Sequence, residues 1–297
     1  MIISRGTVFT AFNKDAAPVC TVQAPCHLTF ETRDALNGRV TSEDQPVETL
    51  NFRGINPATG PVYIEGAEPG DALRVSIKAI RLADSGVTLT IPGTGALSDK
   101  VNGRIAVCPV GEKTFFFRGV ELPLSPMIGV IGVAPAGKPT SCAKPGAHGG
   151  NMDTTGIGPG ALLMLPVQVP GALFGLGDLH AAMGDGEVCV TGIEIPGEVD
   201  VRLDVIKGLN LPWPLLKTRN ELAFLASAPT TDEALRLSVD AMNALLVRET
   251  SLDLDDALIL MSLCGNARIS QVVDPLMTAR FCMPLDVLMK FGVAMAY

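Results

Sequence analysis

The chain has 297 residues, 47% of them hydrophobic and only 18% charged, with a formal net charge of −8. That length admits one large β unit or two domains, and the charged share falls below the roughly 25% of an average globular protein. The Lys and Arg clusters needed to displace counterions from phosphates are missing, which excludes nucleic acid and anionic membrane surfaces as partners.

Seven cysteines, at 20, 26, 108, 142, 189, 264 and 282, form no CxxC pair and an odd set. Free thiols in a reducing cytoplasm are the simplest reading. The start, MIISRGTVFT, lacks the basic and apolar segments of a signal peptide. No apolar run approaches the roughly 20 residues of a membrane span. A cytoplasmic chain is expected, and the sparse surface charge suggests a homo-oligomer.

In chain order, 31 Gly and 22 Pro punctuate short runs with alternating polarity. These predict strands over 7–12, 27–32, 73–80, 87–91, 104–110, 113–117, 127–133, 161–169, 187–195 and 199–205. The run 73–80 follows the turn cluster Glu68-Pro69-Gly70-Asp71. The connection 208–214 carries Trp213, the single Trp, between two prolines. It reads as a packed loop anchor or as a pocket wall.

The last third changes character. Thr230-Thr231-Asp232-Glu233 is a capping box, followed by Leu235, Val239, Met242 and Leu246 on one helical face. A second helix starts near Ser251 or Asp253, with acids in its first turn and an apolar stripe of Leu254, Leu258 and Met261. A strand over 267–273 ends at Asp274–Pro275. A short helix follows Pro284, with Leu285, Leu288 and Met289 inward. The expectation is a mostly β fold: a body over 1–207 carrying the motif loops, and a C-terminal α+β region over 215–297 packed on it.

Two of the three histidines sit among glycines and acids. In Pro145–Asp153, Asn151 and Asp153 share a face if the segment is extended. In Gly177–Glu187, Asp178 pairs in the same way with His180, and Asp185 with Glu187. A divalent metal held by His and carboxylates can supply hydroxide near neutral pH, and a spare carboxylate can move the proton to a leaving amine. The spacing therefore suits amide hydrolysis. The structural alternative stands beside it. Gly-Asp-Gly around Asp185 is a common hairpin turn, an isolated His such as His27 is usually a hydrogen-bonded structural residue, and Asp34 beside Asn-Gly is usually a turn residue. The spacing matches no fixed metal motif.

Taken in order, Phe30–Gly38, Asn56–Ile80, GGNMD at 149–153, Leu165–Pro170 and GALFGLGDLHAAMGDGE at 171–187 resemble the acetamidase/formamidase family. The match extends through Glu194 and more loosely into the C-terminal helices. The resemblance implies barrel-like and sandwich-like β parts, hydrolysis of formamide- or acetamide-like substrates to a carboxylate and ammonia, and homo-oligomers. It points to Asp34, Asn151, Asp153, Asp178, His180, Asp185 and Glu187. Our assignment within this set makes Asp153 and His180 metal ligands, Asp34, Asp178 and Glu187 catalytic, and Asn151 and Met183 substrate contacts. Zinc is favoured over calcium, because a calcium site has no need for an imidazole. Met183 stands where many members have Gln, which leaves the amide itself open.

Two other chemistries compete. Cys142, near Lys144, would be the thiolate of a Cys–Glu–Lys amidase. A ligand-binding β-sandwich with a structural cation would account for the acids without catalysis.

Overall fold

In the computed structural model, which describes residues 1–293, two large β-sheets dominate. The first has nine strands in the order Ile2–Ile3, Cys26–Thr32, Gly197–Ile206, Ala72–Leu82, Leu162–Pro166, Leu215–Lys217, Glu221–Ala228, Met277–Pro284, Asn266–Gln271. The second runs Gly149–Asn151, Met127–Gly132, Phe174–His180, Glu194–Ile195, Ser85–Thr90, Arg104–Pro109. Ala58–Glu65 also pairs with Phe174–His180 and carries Val8–Phe9 and Cys20–Gln23. Among the described residues neither sheet closes on itself, so the two form a sandwich rather than a closed barrel.

Side-chain alternation builds three layers. Leu163, Leu216, Ala223, Leu225 and Cys282 point into the core shared with Ile64, Ile128, Leu176 and Leu179 of the second sheet. Their neighbours Met164, Leu215, Leu222, Phe224 and Met283 point the other way, onto the helices. Three helices form that outer layer among the described residues: α1 (Thr231–Glu249), α2 (Leu254–Cys264) and α3 (Leu285–Lys290). The first sheet draws strands from both sides of the 208–214 connection. Trp213 packs half-buried against the helical core, as a loop anchor.

One half of the capping box forms, with the Thr230 hydroxyl accepting from the Glu233 amide at 3.2 Å. Asp253 caps α2 in the same way. The expected stripe on α2 is wrong in two places: Leu254 and Leu258 are exposed, and Ala257 with Met261 faces inward. On α3, Leu288 is buried but Met289 is exposed. The expected strand over 187–195 shrinks to Glu194–Ile195. Glu187 and Val190 have positive φ, which breaks an extended run. The segment instead docks on the sheet edge, where Gly186 donates to the Ser270 carbonyl. Strands Ala58–Glu65, Phe174–His180, Glu221–Ala228 and Met277–Pro284 were not anticipated. Among the described residues no helix is long and apolar enough to cross a membrane.

Candidate active site

The strand Phe174–His180 lies at the centre of the second sheet, buried along its whole length. On one side it pairs with Glu194–Ile195, in a register that sets His180 directly opposite Glu194. Opposed residues on neighbouring strands share a face, and His180 Nε2 lies 3.0 Å from Glu194 Oε1. On the other side the ladder to Met127–Gly132 skips the Gly129–Asp178 position. There Asp178 adopts φ 57° and turns its carboxylate toward His180, 3.5 Å from Nε2. Asp153 follows the edge strand Gly149–Asn151 at φ 40° and places Oδ1 4.0 Å from the same nitrogen. Glu187 also has φ 40°. Three acids in a backbone region that non-glycine residues seldom occupy mark a strained site held by its surroundings.

Close approach requires glycine at two neighbours. A Cβ on Gly129 would lie 2.4 Å from Asp153 Oδ1 and 2.9 Å from Asp178 Oδ2. One on Gly192 would lie 2.6 Å from His180 Nδ1. Asn56 secures the far oxygen of Asp178, donating from Nδ2 at 2.9 Å. Its own backbone amide donates to the Ala35 carbonyl.

The electrostatics are those of a charge trap. Burial, reinforced by the charge of Asp178, pushes the Asp153 carboxyl up to about 7. Burial and Asp153 together hold Glu187 well above the ordinary range, and they do the same to Asp274. Glu194 is raised by burial, against the pull of His180. Burial would lower the His180 pKa, but Glu194 and Asp178 outweigh it and hold the proton well above the usual value. Asp153, Asp178, Glu187 and Glu194 each keep one buried oxygen without a hydrogen-bond partner among the described residues, and His180 Nδ1 is likewise unpartnered. Buried polar atoms seldom stay unsatisfied. Two donor sets converge within 4.8 Å: Asp153, His180 and Glu187, and Asp178, His180 and Glu194. Carboxylate oxygens with one imidazole suit a divalent cation.

The structure thus gathers Asp153, Asp178, His180 and Glu187, with Asn151 buried alongside. It adds Glu194, Asp274 and Asn56, which sequence reasoning missed. Glu194 left one signal: an acid between Ile193 and Ile195, at a position an apolar strand would bury. Asp34 stands apart. Both of its carboxylate oxygens accept the Gly38 amide, at 3.1 and 2.9 Å, as a turn residue's would. Its link to the cluster runs through the Ala35 carbonyl and Asn56. Met183 lines a cleft of about 580 Å³ that also reaches Glu187 and Gly192. Cys142 is buried and pushed up to about 12 by desolvation, the opposite of an activated thiolate.

The sequence profile of the Acetamidase/Formamidase family matches residues 4–144 and 136–289. The acetamidase of Bacillus halodurans superposes with a TM-score of 0.96 at 41% identity, covering 99% of this chain and 100% of that one. A protein of Thermoanaerobacter tengcongensis described as a predicted acetamidase/formamidase gives 0.96 at 43%, covering 99% and 98%. The chain belongs to the acetamidase/formamidase family. The Mycolicibacterium smegmatis acetamidase is 24% identical over 66% of this chain. The chain spans 59–65% of the length of the curated relatives it matches.

Two residues in or beside the family-like motifs have structural duties. His148 lies outside both donor sets, edge-on to Phe12 at 5.3 Å. Burial lowers its pKa to about 4. Folded His148 therefore stays neutral while the unfolded chain's imidazole protonates near pH 6.5. Stability is complete above pH 6.5 and is lost as pH falls toward 4, by about 3 kcal/mol for a shift of this size. We expect His148→Gln to lose less stability than wild type between pH 7.5 and 4.5 in urea denaturation. An equal loss would mean that His148 does not carry this linkage.

Asp185, exposed, accepts from Arg280 Nη2 with both oxygens at 2.7 Å and from the Thr155 hydroxyl at 2.8 Å. Arg280 is buried and also donates to Ser270. Asp185→Ala would leave that guanidinium only its Ser270 and Thr155 partners, at a cost of about 1–3 kcal/mol. Adding Arg280→Met should restore most of the lost stability. A double variant no more stable than the single one would refute this account.

Proposed function

We propose that the chain hydrolyses a small aliphatic amide of the formamide or acetamide class to a carboxylate and ammonia, at a site where Asp153 and His180 hold a divalent metal, zinc favoured. The observation that carries this is the buried set of carboxylates around one imidazole, in a family whose relatives bear the names acetamidase and formamidase. Such an ion, when bound, would supply hydroxide near neutral pH and polarise the amide carbonyl.

The chain's own residues do the rest. Glu187, on the cleft wall, takes the water proton and passes it to the leaving nitrogen as the C–N bond breaks. Asp178, fixed by Asn56, and Glu194 flank the His180 ring and orient it. Asn151 and Met183 contact the substrate. Asp34 supports the turn that holds Asn56, a positioning part rather than contact with reacting atoms. A cytoplasmic location fits the free state of all seven cysteines. A homo-oligomer fits the exposed Leu254, Leu258, Ile259 and Leu263 of α2, next in the chain to the edge strand Asn266–Gln271, whose first four residues are exposed. A second copy of this face would cover both.

The test is ammonia release from formamide and acetamide, with elemental analysis of the same preparation. The expected result is at least one bound divalent ion per few chains and turnover that a chelator abolishes and zinc restores. Bound metal without turnover would favour the binding-module reading. Turnover in a metal-free, chelated preparation would remove the metal. Overlapping use of the two amides is expected, since a methylene-sized difference gives only about 1–3 kcal/mol.

A further inference from the structure

The cleft that reaches the acidic cluster is far larger and more apolar than acetamide requires. Its volume of about 580 Å³ lies within the roughly 300–1,000 Å³ typical of sites for drug-sized ligands. Acetamide has four non-hydrogen atoms, two of them polar. The cleft walls are Phe115, Phe117, Leu122, Met183, Val188 and Ile193.

Two features tie the cleft to the chemistry. Glu187 belongs to its lining and to one of the donor sets, and one of its carboxylate oxygens is buried without a partner among the described residues. Gly192, also in the lining, lies against the His180 ring, where a Cβ would come within 2.6 Å of Nδ1. The cleft therefore meets the cluster at Glu187, with Gly192 between its floor and the His180 ring. Its outer part offers three exposed aliphatic and aromatic side chains: Phe117, Leu122 and Val188 at 41%, 38% and 62%. Large apolar groups left in water around a concavity mark a place where apolar surface is buried on binding. The carboxamide of a substrate would meet the cluster while its acyl chain lay along this wall.

Resting on the amidase reading above, we propose that the same site also takes primary amides with a bulky apolar acyl group, branched-chain or aromatic, and turns them over more efficiently than acetamide. Water adds to the carbonyl carbon, the C–N bond breaks, and ammonia leaves together with the larger carboxylate. The reaction balances without any further reactant.

The experiment measures kcat/KM for ammonia release from acetamide, propionamide, 3-methylbutanamide and benzamide with the wild-type protein. A well-seated methylene is worth about tenfold or more in a hydrophobic pocket. We therefore expect kcat/KM to rise at least about tenfold from acetamide to 3-methylbutanamide. A monotonic fall with acyl size, in a preparation that does hydrolyse acetamide, would overturn this proposal and leave the amidase reading standing. No turnover of any amide would overturn both. In Leu122→Asn, at an exposed position where folding is tolerant, the ratio of kcat/KM for 3-methylbutanamide to that for acetamide should fall by about tenfold. An unchanged ratio would count against the wall as the acyl site.

Discussion

A His180→Ala chain should release ammonia from acetamide at least about a thousandfold more slowly than wild type. The imidazole is the one nitrogen donor in both convergent donor sets, and its Nε2 faces Glu194, Asp178 and Asp153 at 3.0, 3.5 and 4.0 Å. Removing it takes away the ring that three buried carboxylates share, together with any cation the ring helps to hold. Burial already raises Asp153 and Glu194, and without the ring both would hold their protons more firmly, because an unpaired buried charge is costly. Protonated acids serve neither as ligands nor as proton acceptors. General acid–base work alone is typically worth 10²–10⁴-fold, and loss of a metal ligand adds to that. Steady-state ammonia release, elemental analysis and circular dichroism on one preparation check the prediction. Turnover within tenfold of wild type, with native dichroism, would place the chemistry elsewhere.

The second large effect comes from a residue with no functional group. Gly129→Ala should lower kcat by at least about a hundredfold while the protein still folds. The new methyl would sit 2.4 Å from Asp153 Oδ1, 2.9 Å from Asp178 Oδ2 and 3.0 Å from the Asp178 carbonyl oxygen. Both side chains are buried, so neither carboxylate can swing into solvent. One or both must turn away from His180, or Asp178 must leave its φ of 57°. Overpacking of this kind costs about 1–3 kcal/mol, which a domain of this size can absorb. Catalytic geometry is less forgiving, since displacement by about 1 Å can cost a hundredfold. Gly137→Ala, where a Cβ meets nothing within 4 Å, is the control. Equal activity in the two alanine variants would show that the carboxylates do not need this gap.

Much of the site could be read along the chain. The GGNMD and GDLHAAMGDGE runs name Asp153, Asp178, His180 and Glu187 directly, because acids and an imidazole among glycines have few structural uses. The strand that carries Asp178 and His180 was hidden for a related reason. Phe174–His180 is interrupted by Gly175 and Gly177 and carries the polar Asp178 and His180 in its last three positions, so its pattern does not announce a strand although it is buried throughout. The glycines are there for close packing: a Cβ at Gly177 would lie 2.3 Å from the Pro57 carbonyl. Local propensity favours a loop, and central position in the sheet overrides it.

Periodicity by itself determined the mostly β character, the Thr230 cap and the C-terminal helices, because hydrogen-bonded caps and apolar alternation are local properties. Family-like motifs determined four of the clustered side chains. Only the tertiary structure decided that Glu194 stands opposite His180, that Asp274 and Asn56 join them, and that Asp34, Asp185 and His148 serve turn, ion pair and core instead. Those assignments depend on strand register and on which loops dock at a shared edge. Both are set by long-range pairing, so nothing in the spacing of a residue along the chain records them.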